Sequence, residues 1–377
     1  MNDIRMVDLT SQYLRFKSQM DEAMQLVASN ADFIQGKAVK AFETNLASAM
    51  NVPFCISCGN GTDALQLAFM ALDLSPGSEV ITPSFSYAAV VEVLHLLNLV
   101  PVFVDVDPQT FLMDVDALEA AITPKTKAIA PVHLFGQMVN MDRVTQIAVN
   151  YQLFVVEDAA QSIGAYWHGE YCNGFAGTIG TIGTTSFFPS KNLGCFGDGG
   201  AVFTKDEQFA NLLRMIANHG QKVKYEHEMI GVNSRLDTLQ AAVLQVKLPY
   251  LTDFNARRNE IAQRYTEHLE ALGGLNIPRN QNHSTHVFNQ YTLVLESPEI
   301  RHSLKEFLHS QKIPTMVYYP IPLHKQKAYA CEVNLPQTEY LCGRVLSLPI
   351  CPELTLEKQT YIIQNIQKFI QNNKSLQ

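Results

Sequence analysis

The chain has 377 residues, 47% of them hydrophobic and 17% charged, enough apolar material for a substantial core and too much for a disordered polymer. At that length two domains are expected. A net charge of −8 supplies no global positive field for nucleic acid or an anionic membrane surface, which leaves small anions to local lysines, arginines and helix N-termini.

The first regular signal is the apolar run Phe54–Cys58. From there to residue 204 short β-branched runs alternate with helical patterns. Strands are predicted at Phe54–Cys58, Glu79–Thr82, Val100–Val106, Ala128–Leu134, Phe154–Glu157, Thr184–Phe188 and Ala201–Thr204. Helices are predicted at Asp63–Leu72, Ala88–Leu97, Val115–Ala121 and Met141–Asn150, from apolar residues three and four apart. Such alternation predicts an α/β fold with a mostly parallel sheet covered by helices on both faces. Beyond residue 250 the pattern changes: a charged helix over Asn255–Leu272, a strand over Gln290–Leu295, and helices near Ser303–Gln311 and Thr355–Asn372. A large α/β domain over 1–250 and a smaller α+β domain over 251–377 are therefore expected.

The seven cysteines are odd in number and scattered. Cys55 and Cys58 have no second pair at zinc spacing and read as small buried strand residues, so no metal site is expected. The start, Met1-Asn2-Asp3-Ile4-Arg5, is polar, and no apolar run approaches the ~20 residues that span a bilayer. Reduced thiols and a cytoplasmic location fit this pattern.

In open α/β sheets ligands sit beyond the carboxyl ends of the strands, and four candidate features fall there. Gly59-Asn60-Gly61-Thr62-Asp63 combines flexible backbone with a helix start, which suits a phosphate as well as an ordinary cap. Pro83-Ser84-Phe85-Ser86-Tyr87 puts an aromatic ring where it could stack on a flat molecule. Asp158, ending Val155-Val156-Glu157-Asp158-Ala159-Ala160-Gln161-Ser162, is a poorly solvated carboxylate that wants a cation. Lys191, after Ser186-Phe187-Phe188-Pro189-Ser190, is an amine between an apolar strand and the glycines Gly194, Gly197, Gly199 and Gly200. A lone lysine there is ordinarily a solvated charge. In a dry pocket its pKa falls and the neutral amine can attack an aldehyde. A phosphate cradle, a stacking ring, an anion for a ring nitrogen and an aldehyde-reactive amine are together what pyridoxal 5′-phosphate (PLP) requires.

These runs, with Gly197-Asp198-Gly199-Gly200, Asn218-His219-Gly220, Gly231-Val232-Asn233-Ser234-Arg235-Leu236-Asp237 and Leu346-Ser347-Leu348-Pro349, resemble the DegT/DnrJ/EryC1/StrS sugar aminotransferases across nearly the whole chain. The resemblance implies the fold-type-I PLP architecture and a homodimer with shared active sites. It implies Lys191 as the cofactor-linked lysine, Asp158 as partner of the ring nitrogen and Gln161 as a contact near the phenolic oxygen. Tyr87 is implied as the stacking ring, Gly61, Thr62 and Ser186 as phosphate ligands, and Asn233 as a phosphate ligand for the neighbouring subunit. A lysine at 191, where the family's dehydratases have histidine, favours transamination over dehydration. Glutamate is the implied amino donor, and a keto-sugar nucleotide then takes the nitrogen from the pyridoxamine form. Asn218-His219-Gly220-Gln221, the run around Arg235 and Tyr319-Pro320-Ile321-Pro322-Leu323-His324-Lys325-Gln326 are most similar to enzymes that aminate C3 of UDP-2-acetamido-2-deoxy-3-oxo-glucuronate in surface polysaccharide (lipopolysaccharide) biosynthesis. Arg235 is the candidate reader of a uronate carboxylate, with Tyr318, Tyr319, His324 and Lys325 as further substrate contacts. Tyr318 stands where those enzymes carry histidine, and a dTDP-3-keto-6-deoxyhexose is the alternative acceptor.

Overall fold

The computed structural model describes residues 4–374; Met1-Asn2-Asp3 of the polar start lie outside the described residues. Two helices that the apolar pattern leaves out come first, α1 (Leu9–Asn30) and α2 (Lys37–Ala49). Over its 22 residues α1 buries only Gln12, Phe16, Met20 and Val27, so its helical period is faint. Asp8 caps it, its carboxylate accepting from the Ser11 N–H at 3.1 Å.

The alternating region then unfolds as read: β1 (Phe54–Cys58), α3 (Gly61–Ala71), β2 (Glu79–Pro83), α4 (Ala89–Leu96), β3 (Val100–Val104), α5 (Val115–Ala120), β4 (Thr126–Ile129), α6 (Met141–Tyr151) and β5 (Phe154–Asp158). A hairpin, β6 (Tyr166–His168) and β7 (Asn173–Phe175), precedes β8 (Ile182–Ser186) and β9 (Gly200–Thr204). The central sheet runs β1-β9-β8-β5-β4-β2-β3. Strands β8, β5, β4, β2 and β3 pair in parallel, whereas β9 is antiparallel to both β8 and β1. Cys55 and Cys58 are buried in β1 at 2% and 0% exposure, as their apolar run implied.

Two strand ends differ from the sequence reading. The run Ala128–Leu134 is continuous strand only to Ile129; beyond it a single parallel bridge, Val132 to Asp158, remains, in which the Pro131 carbonyl accepts from the Asp158 N–H at 2.9 Å and the His133 N–H donates to the Asp158 carbonyl at 3.0 Å. Apolarity persists there because the turn beside the end of β5 is buried, not because a continuous strand runs through it. The run Thr184–Phe188 starts earlier and stops at Ser186, since Pro189 and the turn to Lys191 take over.

The rest of the chain comprises α7 (Glu207–Ala217), the hairpin β10 (Gln221–Val223) and β11 (Glu226–His227), α8 (Thr238–Lys247), α9 (Leu251–Leu269), β12 (Leu275–Asn276), β13 (Tyr291–Leu295), α10 (Pro298–Ser310), α11 (Pro336–Arg344), β14 (Val345–Leu348) and α12 (Leu356–Lys374). The helix expected over Asn255–Leu272 begins at Leu251, and its last turn, Glu270–Leu272, is a 3₁₀ turn. The helix expected from Ser303 begins at Pro298, capped by the Ser297 hydroxyl. A second core gathers Tyr265, Leu293, Leu304, Leu346 and Ile362 around the antiparallel β12-β13-β14 sheet, and Ile4 from the start of the chain joins it. No helix among the described residues is long and apolar enough to cross a membrane.

Candidate active site

The carboxyl ends of β1, β8, β5 and β2 converge. Asn60 caps α3 by accepting from the Asp63 N–H at 2.8 Å, which leaves the N–H groups of Gly61 and Thr62 without an acceptor inside the helix. A Cβ on Gly61 would lie 2.8 Å from Ser186 Cβ and 3.2 Å from its Oγ, so only glycine lets the helix start approach that hydroxyl. Ser186 Oγ accepts from the Phe188 N–H at 3.2 Å, and its own proton is left to donate outward. Backbone donors, a hydroxyl and a helix N-terminus thus face one space, a cradle suited to a phosphate.

Lys191 projects from a turn closed by its own N–H donating to Phe188 O at 2.8 Å. The turn is anchored on either side by Phe187, Leu193 and Cys195, all at most 1% exposed. Phe187 meets Phe42 of α2 edge-to-face at 5.3 Å. The half-buried amine has no hydrogen-bond partner among the described residues. Desolvation lowers its pKa to about 8, with the nearby Asp158 charge opposing. Asp158 is 7% exposed. Its Oδ1 accepts from the Ala160 N–H at 3.0 Å, yet burial still raises its pKa. The pocket disfavours both charges: the amine gives up its proton far more readily than a free lysine, and the carboxyl gains from any cation placed beside it.

Gln161 is held at both ends of its amide, Oε1 accepting from the Phe135 N–H at 2.8 Å and Nε2 donating to Tyr319 Oη at 3.1 Å. Tyr319 in turn contacts Tyr87, ring centres 6.2 Å apart. Tyr87 itself is 59% exposed, an open ring at the exit from β2. Tyr318 lines a cleft of about 260 Å³ with Ser190 and Gln290, next to Lys191 in the chain.

Other expected residues lie elsewhere. Asn233 is exposed and Arg235 half-buried, the latter in a separate cleft of about 360 Å³ with Lys40, Glu43 and Arg214. Between them Ser234 Oγ accepts from the Gly59 N–H at 3.0 Å and donates to Asp63 at 2.6 Å, so the segment braces the cradle from outside. His324 is enclosed at 2% exposure, with Nδ1 bonded to Ser84 Oγ at 2.8 Å and Nε2 3.4 Å from Glu339. Lys325 pairs with Glu339 at 2.5 Å. Both side chains are engaged behind the wall that carries Tyr87, and the structure does not bring them to Lys191.

Sequence reasoning missed the pair beneath Asp158. His133 and Glu157 are both fully buried, His133 Nε2 bonded to Glu157 at 2.8 Å while His133 Nδ1 accepts from the Val139 N–H at 3.3 Å. That pattern fixes the Nε2–H tautomer. Glu157 also accepts from the N–H groups of Gly177, Ile179 and Gly180, and these bonds with His133 outweigh burial and lower its pKa. The signal was a carboxylate inside an apolar strand, Val155-Val156-Glu157.

The set fits PLP on the structure's own terms: an unpartnered amine, a buried carboxylate in need of a cation, a glycine-narrowed anion cradle and an open aromatic ring. Comparison with known proteins agrees. The model of the DegT/DnrJ/EryC1/StrS aminotransferase family matches residues 15–367. The chain is 45% identical over 353 residues to the UDP-2-acetamido-2-deoxy-3-oxo-D-glucuronate aminotransferase of Pseudomonas aeruginosa, covering 93% of this chain and 96% of that one. It is 44% identical to a "pleiotropic regulatory protein" of Geobacillus stearothermophilus, over 97% and 98% of the two chains. It is 36% identical to a dTDP-3-amino-3,4,6-trideoxy-alpha-D-glucose transaminase of Streptomyces venezuelae, over 96% and 95%. Among solved structures, that of S. venezuelae DesV in complex with a ketimine intermediate superposes with a TM-score of 0.94 at 36% identity, covering 98% and 99% of the two chains. The chain belongs to the DegT/DnrJ/EryC1/StrS aminotransferase family and is a PLP-dependent sugar aminotransferase.

Proposed function

We propose that this protein moves an amino group from glutamate to C3 of UDP-2-acetamido-2-deoxy-3-oxo-glucuronate, supplying an amino sugar for surface polysaccharide. The observation that carries the reading is the joint geometry of Lys191, Asp158 and the Gly61/Ser186 cradle; the sugar rests on the 45% identical P. aeruginosa relative. PLP, when bound, supplies the electron sink for the exchange. The chain's own residues do the rest. Gly61, Thr62 and Ser186 would hold its phosphate, Asp158 its ring nitrogen, Gln161 its phenolic oxygen and Tyr87 its ring face. Lys191, an amine that can exist in either protonation state near neutrality, moves the proton at the reacting carbon. Each cycle consumes glutamate and the 3-keto sugar and yields 2-oxoglutarate and the 3-amino sugar.

The site is read as shared between two copies in the cytoplasm. Asn233 is exposed, three residues after exposed Ile230, and Phe33 and Ile34, whose segment bonds Asp237 and Thr238, are exposed as well, apolar side chains of the kind a second copy covers. Asn233 then completes the neighbour's phosphate cradle and Arg235 reads the uronate carboxylate. Mixing Lys191→Ala with Asn233→Ala, each inactive alone, should restore roughly a quarter of wild-type activity, because half of randomly paired dimers are mixed and each has one intact site. No recovery refutes sharing.

The test of the sugar is incubation with glutamate and a panel of 3-keto and 4-keto sugar nucleotides, with 2-oxoglutarate and the amino sugar as readouts. Preference for a dTDP-3-keto-6-deoxyhexose would establish the second reading, which Tyr318 and the S. venezuelae relative support. A deoxy sugar without 2-oxoglutarate would point instead to dehydration.

A further inference from the structure

The residue after Lys191 turns its side chain the other way, into a closed group of amides. Asn192, Asn255 and Asn289 are 3%, 8% and 7% exposed. Asn192 Nδ2 donates to Asn255 Oδ1 at 2.7 Å and to Val287 O at 2.9 Å, and Asn192 Oδ1 accepts from Asn289 Nδ2 at 2.8 Å. Asn255, on α9, donates to Ile163 O at 3.1 Å, two residues beyond Gln161. The strap 286–290, which leads into β13, is bonded to the same neighbourhood from the other side. The Val287 N–H donates to Gly136 O at 2.8 Å and the Gln290 N–H to Phe135 O at 3.3 Å, while the Phe135 N–H holds Gln161. Every polar atom of the Asn192 amide oxygen and nitrogen is directed at this strap or at α9, and none at solvent or at the cradle.

We infer that Asn192 is a positioning residue: through the buried amides of Asn255 and Asn289 it locks the Lys191 turn and the Gln161 turn to one strap, and so sets where the Lys191 amine stands relative to Asp158 and Gln161. The inference rests on the reading of Lys191 as the cofactor-linked lysine. Its physical basis is that three satisfied amides in a dry interior specify one arrangement, whereas losing one partner leaves others buried and unpaired. Asp158 is the charged group that acts on the Lys191 amine, so a change in their separation is visible in how that amine titrates.

The test uses the full chain stripped of PLP. Asn192→Leu keeps the size, removes all three bonds and adds no charge beside Lys191; Asn289→Ser is a milder variant that removes only the bond from Asn289 if the first folds poorly. Acylation of the Lys191 amine, followed by peptide mass spectrometry across pH, reads its ionisation directly, and PLP titration reads affinity. In both variants the midpoint of acylation should move by about one pH unit from the wild-type value, as a changed distance to a charge or to solvent requires. PLP affinity should fall by about tenfold or more, the scale of a small misplacement of a supporting group. Val91→Ala, in a separate small cluster with Phe103, Leu323 and Leu335, serves as the control that loses stability without touching the strap. Variants that lose stability like the control yet keep the wild-type acylation midpoint overturn the inference. Lys191→Ala distinguishes the two levels: a variant that still becomes yellow with PLP defeats the reading of Lys191 itself, whatever Asn192 does.

Discussion

In the PLP-free protein, Lys191→Met should raise stability at neutral pH. The folded pocket lowers the Lys191 pKa from 10.5 to about 8 because burial penalises the ammonium more than Asp158 rewards it. At about 1.36 kcal/mol per unit, that gap corresponds to a penalty of roughly 3 kcal/mol while the folded amine is charged. Methionine has similar length, no charge and no need for water, so it removes the penalty and retains contacts. The pH dependence follows from proton counts. Below about 8 the amine is protonated in both states, and the variant's advantage is full. Between about 8 and 10.5 the unfolded lysine holds a proton that the folded one has released, so wild-type stability rises with pH and the advantage shrinks. Above 10.5 it vanishes. Urea unfolding of both proteins from pH 7 to 11, at one protein concentration, measures this directly. A variant less stable than wild type at pH 7, or an advantage that stays constant with pH, would falsify the account of a desolvated amine.

Gly61→Ala puts a methyl 2.8 Å from Ser186 Cβ, so PLP affinity in an absorbance titration should fall by about tenfold or more, while secondary structure by circular dichroism is retained; unchanged affinity would remove the cradle from the site. Asp158→Asn keeps the shape and removes the charge, and should leave the yellow PLP complex intact while lowering kcat by about 10²-fold or more; a kcat within a factor of two of wild type defeats its assigned role. Glu157→Gln swaps one carboxylate oxygen for an N–H donor against Gly177, Ile179, Gly180 or His133, and should cost about 3–5 kcal/mol at neutral pH in urea unfolding. Because folding lowers the Glu157 pKa, wild-type stability from this group is present above its ordinary value of 4.5 and is lost as pH falls below it; a difference between wild type and variant that persists undiminished through acid pH contradicts this.

Legibility followed from how local each signal is. Phe54–Cys58 was read with its final boundaries because an apolar run ending at Gly59 is a strand whether or not its neighbours are known. Lys191, Asp158, Ser186 and Gly61 were legible because each sits at the end of such a strand, where side-chain chemistry is not consumed by packing. The opposite holds for α1, whose buried residues are too few to set a period, and for Ala128–Leu134, where a buried turn with one bridge to β5 mimics a longer strand. His324 illustrates a different limit. Its place in a motif suggests contact with substrate, and what spacing does not show is that the fold gives its two nitrogens Ser84 and Glu339. No sequence spacing reveals that, since Ser84 lies 240 residues away.

The residues that support the site were the least legible, and for one physical reason. His133 needs Glu157, and Asn192 needs Asn255, Asn289 and Val287, so each gains meaning only once distant segments meet. An amide or imidazole without its partner reads as a surface group, whereas the Lys191 amine has none among the described residues. The site is built from that contrast. Around it, the supporting groups are heavily paired: Glu157 takes three backbone N–H groups and His133, and the Asn192 amide makes three bonds. At its centre, the amine of Lys191 and one carboxylate oxygen of Asp158 have no hydrogen-bond partner among the described residues. The paired groups hold the geometry, and the Lys191 amine and the Asp158 carboxylate are the ones available for chemistry.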